Sequence, residues 1–280
     1  MPSQKEADLR REIVEIGRRV YQHFLVAAND GNISARLDDK TVLITPTGVS
    51  KGFMSTGDVI KVPLDGSSTA LACQRVASGR RLVTEADVLA VPAGGCLSVP
   101  QGALITPLAR QVAMERQVTL QRTGSSPGAP PAREPRRPSS ETPMHLAIYR
   151  ARPDVRAVVH THAPAATAFA LTEVRLDEPL MPEVLVSIGP VARVPYARSG
   201  TEELPQAIAP YLANHDAFLL ANHGVVTVGG TLEQAYFHME RLELYARIRL
   251  AALKLGPTHA LPPEEVARLT AVWEQLRKNP

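Results

Sequence analysis

A chain of 280 residues with 44% hydrophobic, 21% charged and 4% aromatic residues suits one ordinary globular domain plus an appendage, which excludes a disordered or fibrous chain. No run approaches the roughly 18 apolar residues of a membrane helix, and Met1-Pro-Ser-Gln-Lys-Glu leads into charged sequence rather than an apolar signal core, so a cytoplasmic protein without membrane contact is expected. The net charge of +3 is confined to residues 67–134, with seven arginines against four acids; the remainder balances at 24 basic and 24 acidic residues, and no nucleic-acid partner is expected.

In chain order, residues 5–25 carry Leu9, Ile13, Ile16, Val20 and Phe24 at helical spacing. Gly31-Asn32-Ile-Ser-Ala-Arg and Thr41-Val-Leu-Ile-Thr45 then predict a hairpin. Segment 67–134 shifts in composition: it lacks His, Phe, Tyr and Trp, holds both cysteines, and ends in the Pro/Gly/Ser-rich stretch 124–135, which reads as a linker. It is therefore an insertion between 1–66 and 135–280. Within it, Thr84 and Thr106 are placed to cap short helices, the second with Pro107 at its first position and a stripe of Leu108, Ala109, Val112 and Ala113 that something must cover.

Beyond the insertion, a helix is expected over 142–152 and buried strands over 155–161, 217–221 and 225–228. Further helices are expected over 163–171, 201–213, 231–253 and 262–278. Strands do not alternate strictly with helices, so the expected architecture is three-layer α/β with a mainly antiparallel or mixed central sheet.

Cys73 and Cys96 offer no disulfide framework or paired metal spacing, which leaves nitrogen and oxygen donors for any metal. In Val158-Val-His-Thr-His162, alternation along a strand sends His160 and His162 to the same side. His223 lies in a polar Asn-His-Gly between two apolar runs, where Gly224 would permit a tight turn. Three imidazoles with an open position suit a catalytic zinc better than a closed structural one, although a His-x-His pair alone is as compatible with packing. Ser139-Ser140-Glu141 opens a helix where an anion would be favoured; read alone, it is equally a capped helix with an exposed glutamate. Thr45-Pro-Thr-Gly48 and Gly31-Asn32 read alone as ordinary turns.

Taken in order, Gly31-Asn32-Ile-Ser-Ala-Arg, Leu43-Ile-Thr-Pro-Thr-Gly, Pro138-Ser-Ser-Glu, Ala157-Val-Val-His-Thr-His and Asn222-His-Gly resemble the class II aldolase/adducin family, on its fuculose-phosphate aldolase branch. The resemblance spans roughly residues 5–66 and 135–255. It implies a class II aldolase-like α/β/α fold, with Zn2+ held by His160, His162 and His223 and Glu141 as catalytic base. It also implies a substrate-phosphate cradle of Asn32, Thr47, Gly48, Ser139 and Ser140, and a homotetramer with sites at subunit boundaries.

The implied activity is cleavage of L-fuculose 1-phosphate, or a related ketose 1-phosphate such as rhamnulose 1-phosphate, to dihydroxyacetone phosphate and L-lactaldehyde. Zinc would act there as a Lewis acid. The fuculose-phosphate branch has a tyrosine that assists on the aldehyde side; Glu178–Ser187 contains none. Tyr196 is read instead as a buried aromatic, and Glu183 as a solvated charge or an alternative acid. Competing expectations are a sugar-phosphate 4-epimerase or a methylthio-sugar-phosphate dehydratase of the same fold and, in another class, an adducin-like scaffold. Leu97-Ser-Val-Pro-Gln-Gly-Ala-Leu-Ile-Thr-Pro-Leu-Ala-Arg resembles a segment of bacterial microcompartment proteins, implying that 84–118 tethers the chain to a shell or core partner.

Overall fold

The computed structural model describes residues 3–67, 74–75, 82–91, 96–100, 102–116, 118–123 and 136–278, so the expected linker over 124–135 and Cys73 lie outside the described residues. The chain divides into two compact units, Met1–Ser67 with Pro138–Pro280, and Ser68–Arg137. The first unit begins with α1 (Gln4–Gln22), whose first turn is capped by the Ser3 side chain accepting from Glu6 N. Strands β1 (Asn32–Arg36), β2 (Thr41–Ile44) and β3 (Ile60–Pro63) follow.

The second unit contains β4 (Gln74–Arg75), β5 (Leu82–Val83), α2 (Glu85–Leu89), β6 (Cys96–Pro100), β7 (Leu104–Ile105), α3 (Pro107–Glu115) and β8 (Thr119–Thr123). The two short helices expected here are α2 and α3, and they are joined by short strands that the sequence reading did not include. β4, β6 and β8 form a parallel sheet and β5 pairs with β7 in parallel, with α2 and α3 as crossovers. Thr84 and Thr106 do cap the two helices, the first in a capping box with Asp87. Both caps follow a two-residue strand, too short for any periodicity to register. Val83, Val88, Leu97, Val99, Ala109 and Ala113 make this unit's own core, so Ala109, Ala113 and, in part, Val112 of the α3 stripe are covered within the insertion, while Leu108 stays exposed.

The first unit resumes with α4 (Thr142–Ala151), β9 (Ala157–Thr161), α5 (Pro164–Ala170), α6 (Pro182–Ile188) and β10 (Val191–Val194). It ends with α7 (Glu203–Ile208), β11 (Ala217–Leu220), β12 (Gly224–Gly229), α8 (Leu232–Leu255) and α9 (Pro263–Lys278). The expected helix over 201–213 is α7 followed by a 3-10 turn at Ala209–Tyr211. No helix among the described residues is long and apolar enough to cross a membrane.

The seven strands of this unit run in the order β10-β11-β12-β9-β1-β2-β3, antiparallel except for the parallel β10–β11 pair, so the sheet is mixed. Side chains alternate between its faces. Ala157 and Val159 of β9, Leu43 of β2 and Leu219 of β11 join the core under α1, α5 and α8. Val158, Val42, Ile44, Phe218 and Leu220 join the core under α4 and α7. Helices therefore cover both faces, and His160, two residues after Val158, faces the α4 side.

Candidate active site

Three strand ends converge where β9 stops. Asn32 of β1 and Val226 of β12 are the register partners of His160, and His162 follows the last strand residue. His223 sits in the short loop joining β11 to β12, where Asn222 takes the left-handed conformation (φ 57°) and His223 N donates to Leu220 O. Ring centroids of the three imidazoles are 4.8–5.4 Å apart, and one nitrogen from each lies within 4.8 Å of the others.

Gly224 has a different role from the expected turn. It starts β12, and a Cβ there would lie 2.6 Å from Thr161 O and 2.7 Å from His162 Cδ2, so the histidines stack against bare backbone. A Cβ on Gly31, which sits at φ 68°, would likewise lie 2.7 Å from His160 O.

Glu141 occupies the N-cap position of α4 and is buried, which excludes the exposed-glutamate alternative. Its Oε2 lies 3.0 Å from His160 Nε2 and its Oε1 2.9 Å from His223 Nε2. Asn32 Nδ2 donates to Oε2 at 2.6 Å, and Ser199 Oγ donates to Oε1 at 2.6 Å. His162 Nδ1 is 3.4 Å from Asp30 Oδ2, a carboxylate able to orient that ring.

Burial is the largest single influence on Glu141 and opposes its charge, but His160 and His223 together outweigh it and hold the carboxyl well below the usual carboxylate range. For His160, burial acts downward and Glu141, by charge and contact, more than reverses it, leaving the ring raised. His162 is lowered, by burial first and then by its two histidine neighbours.

The donor set fits a divalent metal. His160 Nδ1 donates to Val225 O at 2.9 Å, which aims the Nε2 lone pair of the neutral ring at the Glu141 oxygen. Two lone pairs 3.0 Å apart repel, and His160 Nε2 makes no hydrogen bond. A cation or a proton is needed between them, and three imidazoles beside a carboxylate are ordinary ligands for zinc.

The expected phosphate residues are brought close by backbone. An isolated antiparallel bridge joins Pro46 to Pro138, and Ser139 N donates to Thr45 O, so the Thr47-Gly48 turn adjoins Ser139-Ser140. Thr47, Gly48 and Ser140 are exposed; a Cβ on Gly48 would meet nothing within 4 Å. Ser139 is buried and its Oγ accepts from Glu141 N. Asn32 is engaged internally: its Nδ2 holds Glu141 and its Oδ1 faces His145 Nε2.

Tyr196 is 67% exposed, a correction to its reading as a buried aromatic; Val194 ends β10 and the chain emerges before reaching it. Glu183 is an exposed residue in the first turn of α6. Sequence reasoning missed Ser199, Asp30 and His145. His145 had a signal in its spacing, four residues after Glu141 on one helix; Ser199, 58 residues away on a loop, had none.

The sequence matches the Class II Aldolase and Adducin N-terminal domain family over residues 11–250. It is 28% identical over 268 residues to the 3-oxo-tetronate 4-phosphate decarboxylase of Escherichia coli K12, covering 94% of this chain and 96% of that protein. It is 28% identical over 238 residues to the L-fuculose phosphate aldolase of Methanococcus vannielii, covering 85% and 93%. The crystal structure of YgbL from Escherichia coli superposes with a TM-score of 0.65 at 27% identity, covering 95% of this chain and 99% of that one. A histidine triad backed by a buried carboxylate, on a mixed sheet covered by helices on both faces, agrees with that match: the chain is a member of the class II aldolase/adducin family.

Proposed function

We propose that this chain is a metal-dependent carbon–carbon lyase acting on a short ketose phosphate. The favoured reaction cleaves L-fuculose 1-phosphate, or a related deoxyketose 1-phosphate, to dihydroxyacetone phosphate and lactaldehyde. The observation that carries this reading is the Glu141 carboxylate set 2.9–3.0 Å from two of three clustered imidazoles. Zinc held by His160, His162 and His223 would supply Lewis-acid stabilisation of the negative charge that develops on the substrate oxygens.

Breaking the C3–C4 bond leaves the three-carbon fragment as an enediolate. Glu141 is placed to exchange a proton with its carbon, and the hydroxyl of Ser199 and the amide of Asn32 fix the plane of the carboxylate. Thr47, Gly48 and Ser140, exposed beside this carboxylate, are assigned to the phosphate, which binds before any bond breaks and spends its binding energy on orientation.

A second reading rests on the relative matched along 94% of the chain. Loss of CO2 from 3-oxo-tetronate 4-phosphate leaves the same enediolate, because C2 of that acid becomes the terminal carbon of dihydroxyacetone phosphate. The two reactions share a nucleophilic fragment and differ in the electrophile that departs. Dihydroxyacetone phosphate alone cannot separate them. The metal-replete protein should therefore be offered each substrate, and aldehyde and CO2 assayed beside the common product. Chelator-sensitive lactaldehyde from L-fuculose 1-phosphate is expected; CO2 release from the oxo acid with no aldehyde from the sugar would make the protein a decarboxylase. A protein that bound no metal and acted on neither would be a scaffold.

The same reading extends to assembly as a homotetramer, supported by Phe24 and Phe53 standing exposed on the single chain. It extends also to residues 84–118 as a tether to a microcompartment shell or core protein, supported by exposed Leu89, Leu104 and Met114 in that segment. Co-purification of such a partner with the full chain, but not with a 67–134 deletion, is expected.

A further inference from the structure

The α4-facing layer contains a line of polar groups among apolar ones. On β1, alternation puts Asn32, Ser34 and Arg36 on this face while Ile33 and Ala35 enter the opposite core. On α4, residues four apart share a side, which aligns Glu141, His145 and Tyr149. Two strand residues advance about 6.7 Å and four helical residues about 6 Å, so the rows keep step.

Asn32 Nδ2 contacts Glu141 Oε2, Asn32 Oδ1 contacts His145 Nε2, and Ser34 Oγ lies 2.6 Å from His145 Nδ1 and 2.9 Å from the Tyr149 hydroxyl. Arg36 stacks on the Tyr149 ring and donates to its carbonyl at 2.5 Å. His145 and Ser34 are wholly inaccessible to solvent.

The geometry points to His145 as the positioning residue that selects the orientation of the Asn32 amide and through it seats the Glu141 carboxylate, an inference that rests on Glu141 being the proton-exchanging group. A carboxylate only accepts, so Asn32 must turn its NH2 toward Glu141 and its oxygen toward His145. That oxygen needs a donor, which requires the His145 Nε2–H tautomer. Nδ1 must then accept from the Ser34 hydroxyl, whose oxygen can in turn accept from Tyr149. One proton arrangement satisfies every member. Burial is the largest influence on His145 and pushes its pKa down to about 3, in keeping with a neutral ring. The opposite tautomer would turn the Asn32 oxygen against the carboxylate and drive Glu141 from its place between His160 and His223. His145 never reaches the substrate, since the ring is sealed.

The test begins with the tautomer, which requires no substrate. In long-range 1H–15N spectra of the full-length protein labelled with [15N]histidine, the His145 ring is identified by its loss in His145→Gln. Bare Nδ1 and protonated Nε2, unchanged between pH 6 and 8, are expected; an Nδ1–H tautomer or an imidazolium overturns the inference.

Kinetics then test the coupling. His145→Phe removes the donor and should lower kcat about tenfold or more with KM within about twofold, while His145→Gln, whose amide can still donate to Asn32, should recover to within about threefold. In an Asn32→Ala background, His145→Phe should cost nothing further; additive losses, or a loss confined to KM, would overturn the proposal. Should His145→Phe fail to fold, the tautomer and His145→Gln decide. A protein active on neither proposed substrate would end the functional reading while leaving the tautomer result to stand or fall alone.

Discussion

Alternate residues of a single strand serve the two faces of this sheet in opposite ways. Ile33 and Ala35 of β1 enter an apolar core with α1, α5 and α8, whereas Asn32, Ser34 and Arg36 meet the polar side of α4 and lead to Glu141. Burying a large apolar side chain contributes about 1.5–3 kcal/mol and tolerates small shifts in direction. A buried hydrogen bond contributes only about 0.5–1.5 kcal/mol net, yet leaving a group unpartnered costs about 1–3 kcal/mol. The apolar face therefore supplies stability and the polar face supplies uniqueness. A carboxylate among imidazoles needs the second.

Substitutions on the two faces should separate accordingly. The largest effect is expected for Glu141→Gln, which should retain fold and bound metal, checked by circular dichroism and metal analysis, while kcat falls about 10²-fold or more. On the apolar face, Leu43→Ala should lose about 2–5 kcal/mol in denaturant unfolding with kcat per folded molecule unchanged. Ser34→Ala on the polar face should cost about 1–3 kcal/mol, because His145 Nδ1 loses its donor, and should also slow turnover several-fold. Equal catalytic penalties for Leu43→Ala and Ser34→Ala would erase the distinction.

Lys51 tests what a buried charge does near α1, where its amine donates to Val49 O and Asn29 O and its carbonyl presses on Gly17. Burial lowers its pKa to about 8 from 10.5, against the pull of Asp30 and Glu141. The unfolded chain then holds that proton more tightly, so the penalty is complete below pH 8 and fades as pH rises toward 10.5. The stability of the native chain relative to Lys51→Met should thus rise by about 1–3 kcal/mol between pH 7 and 10, read from paired urea curves. The smallest effect is expected for removing 67–134: with its own core in the second unit, its loss should leave kcat within about twofold.

Much of the first unit was legible because its elements are long or patterned. The helical repeat of α1, the hairpin at 32–44 and the apolar run before His160 each carry a period that local reasoning detects. The histidines and Glu141 were legible as an ordered set of short motifs, and the structure brings all four together. What escaped was non-local or too short. Ser199 reaches Glu141 from a loop, β10 is four residues long, and the parallel strands of the insertion are two to five residues with their pairing set by distant partners. The Gly224 role was misjudged because a close approach between backbone and ring leaves no mark in one sequence.

The register of β1, β9 and β12 gives the site a place in the order of folding. His160 and His162 are neighbours in any conformation, but His223 comes within reach only once β9 has found β12, and Asn32 only once β1 has docked beside them. A divalent ion bound by all three imidazoles would therefore prefer the completed sheet to every earlier state and deepen its stability in proportion to the logarithm of ion concentration. The ion would act as a latch on the central strands, and the moment of its capture during refolding would time their closure.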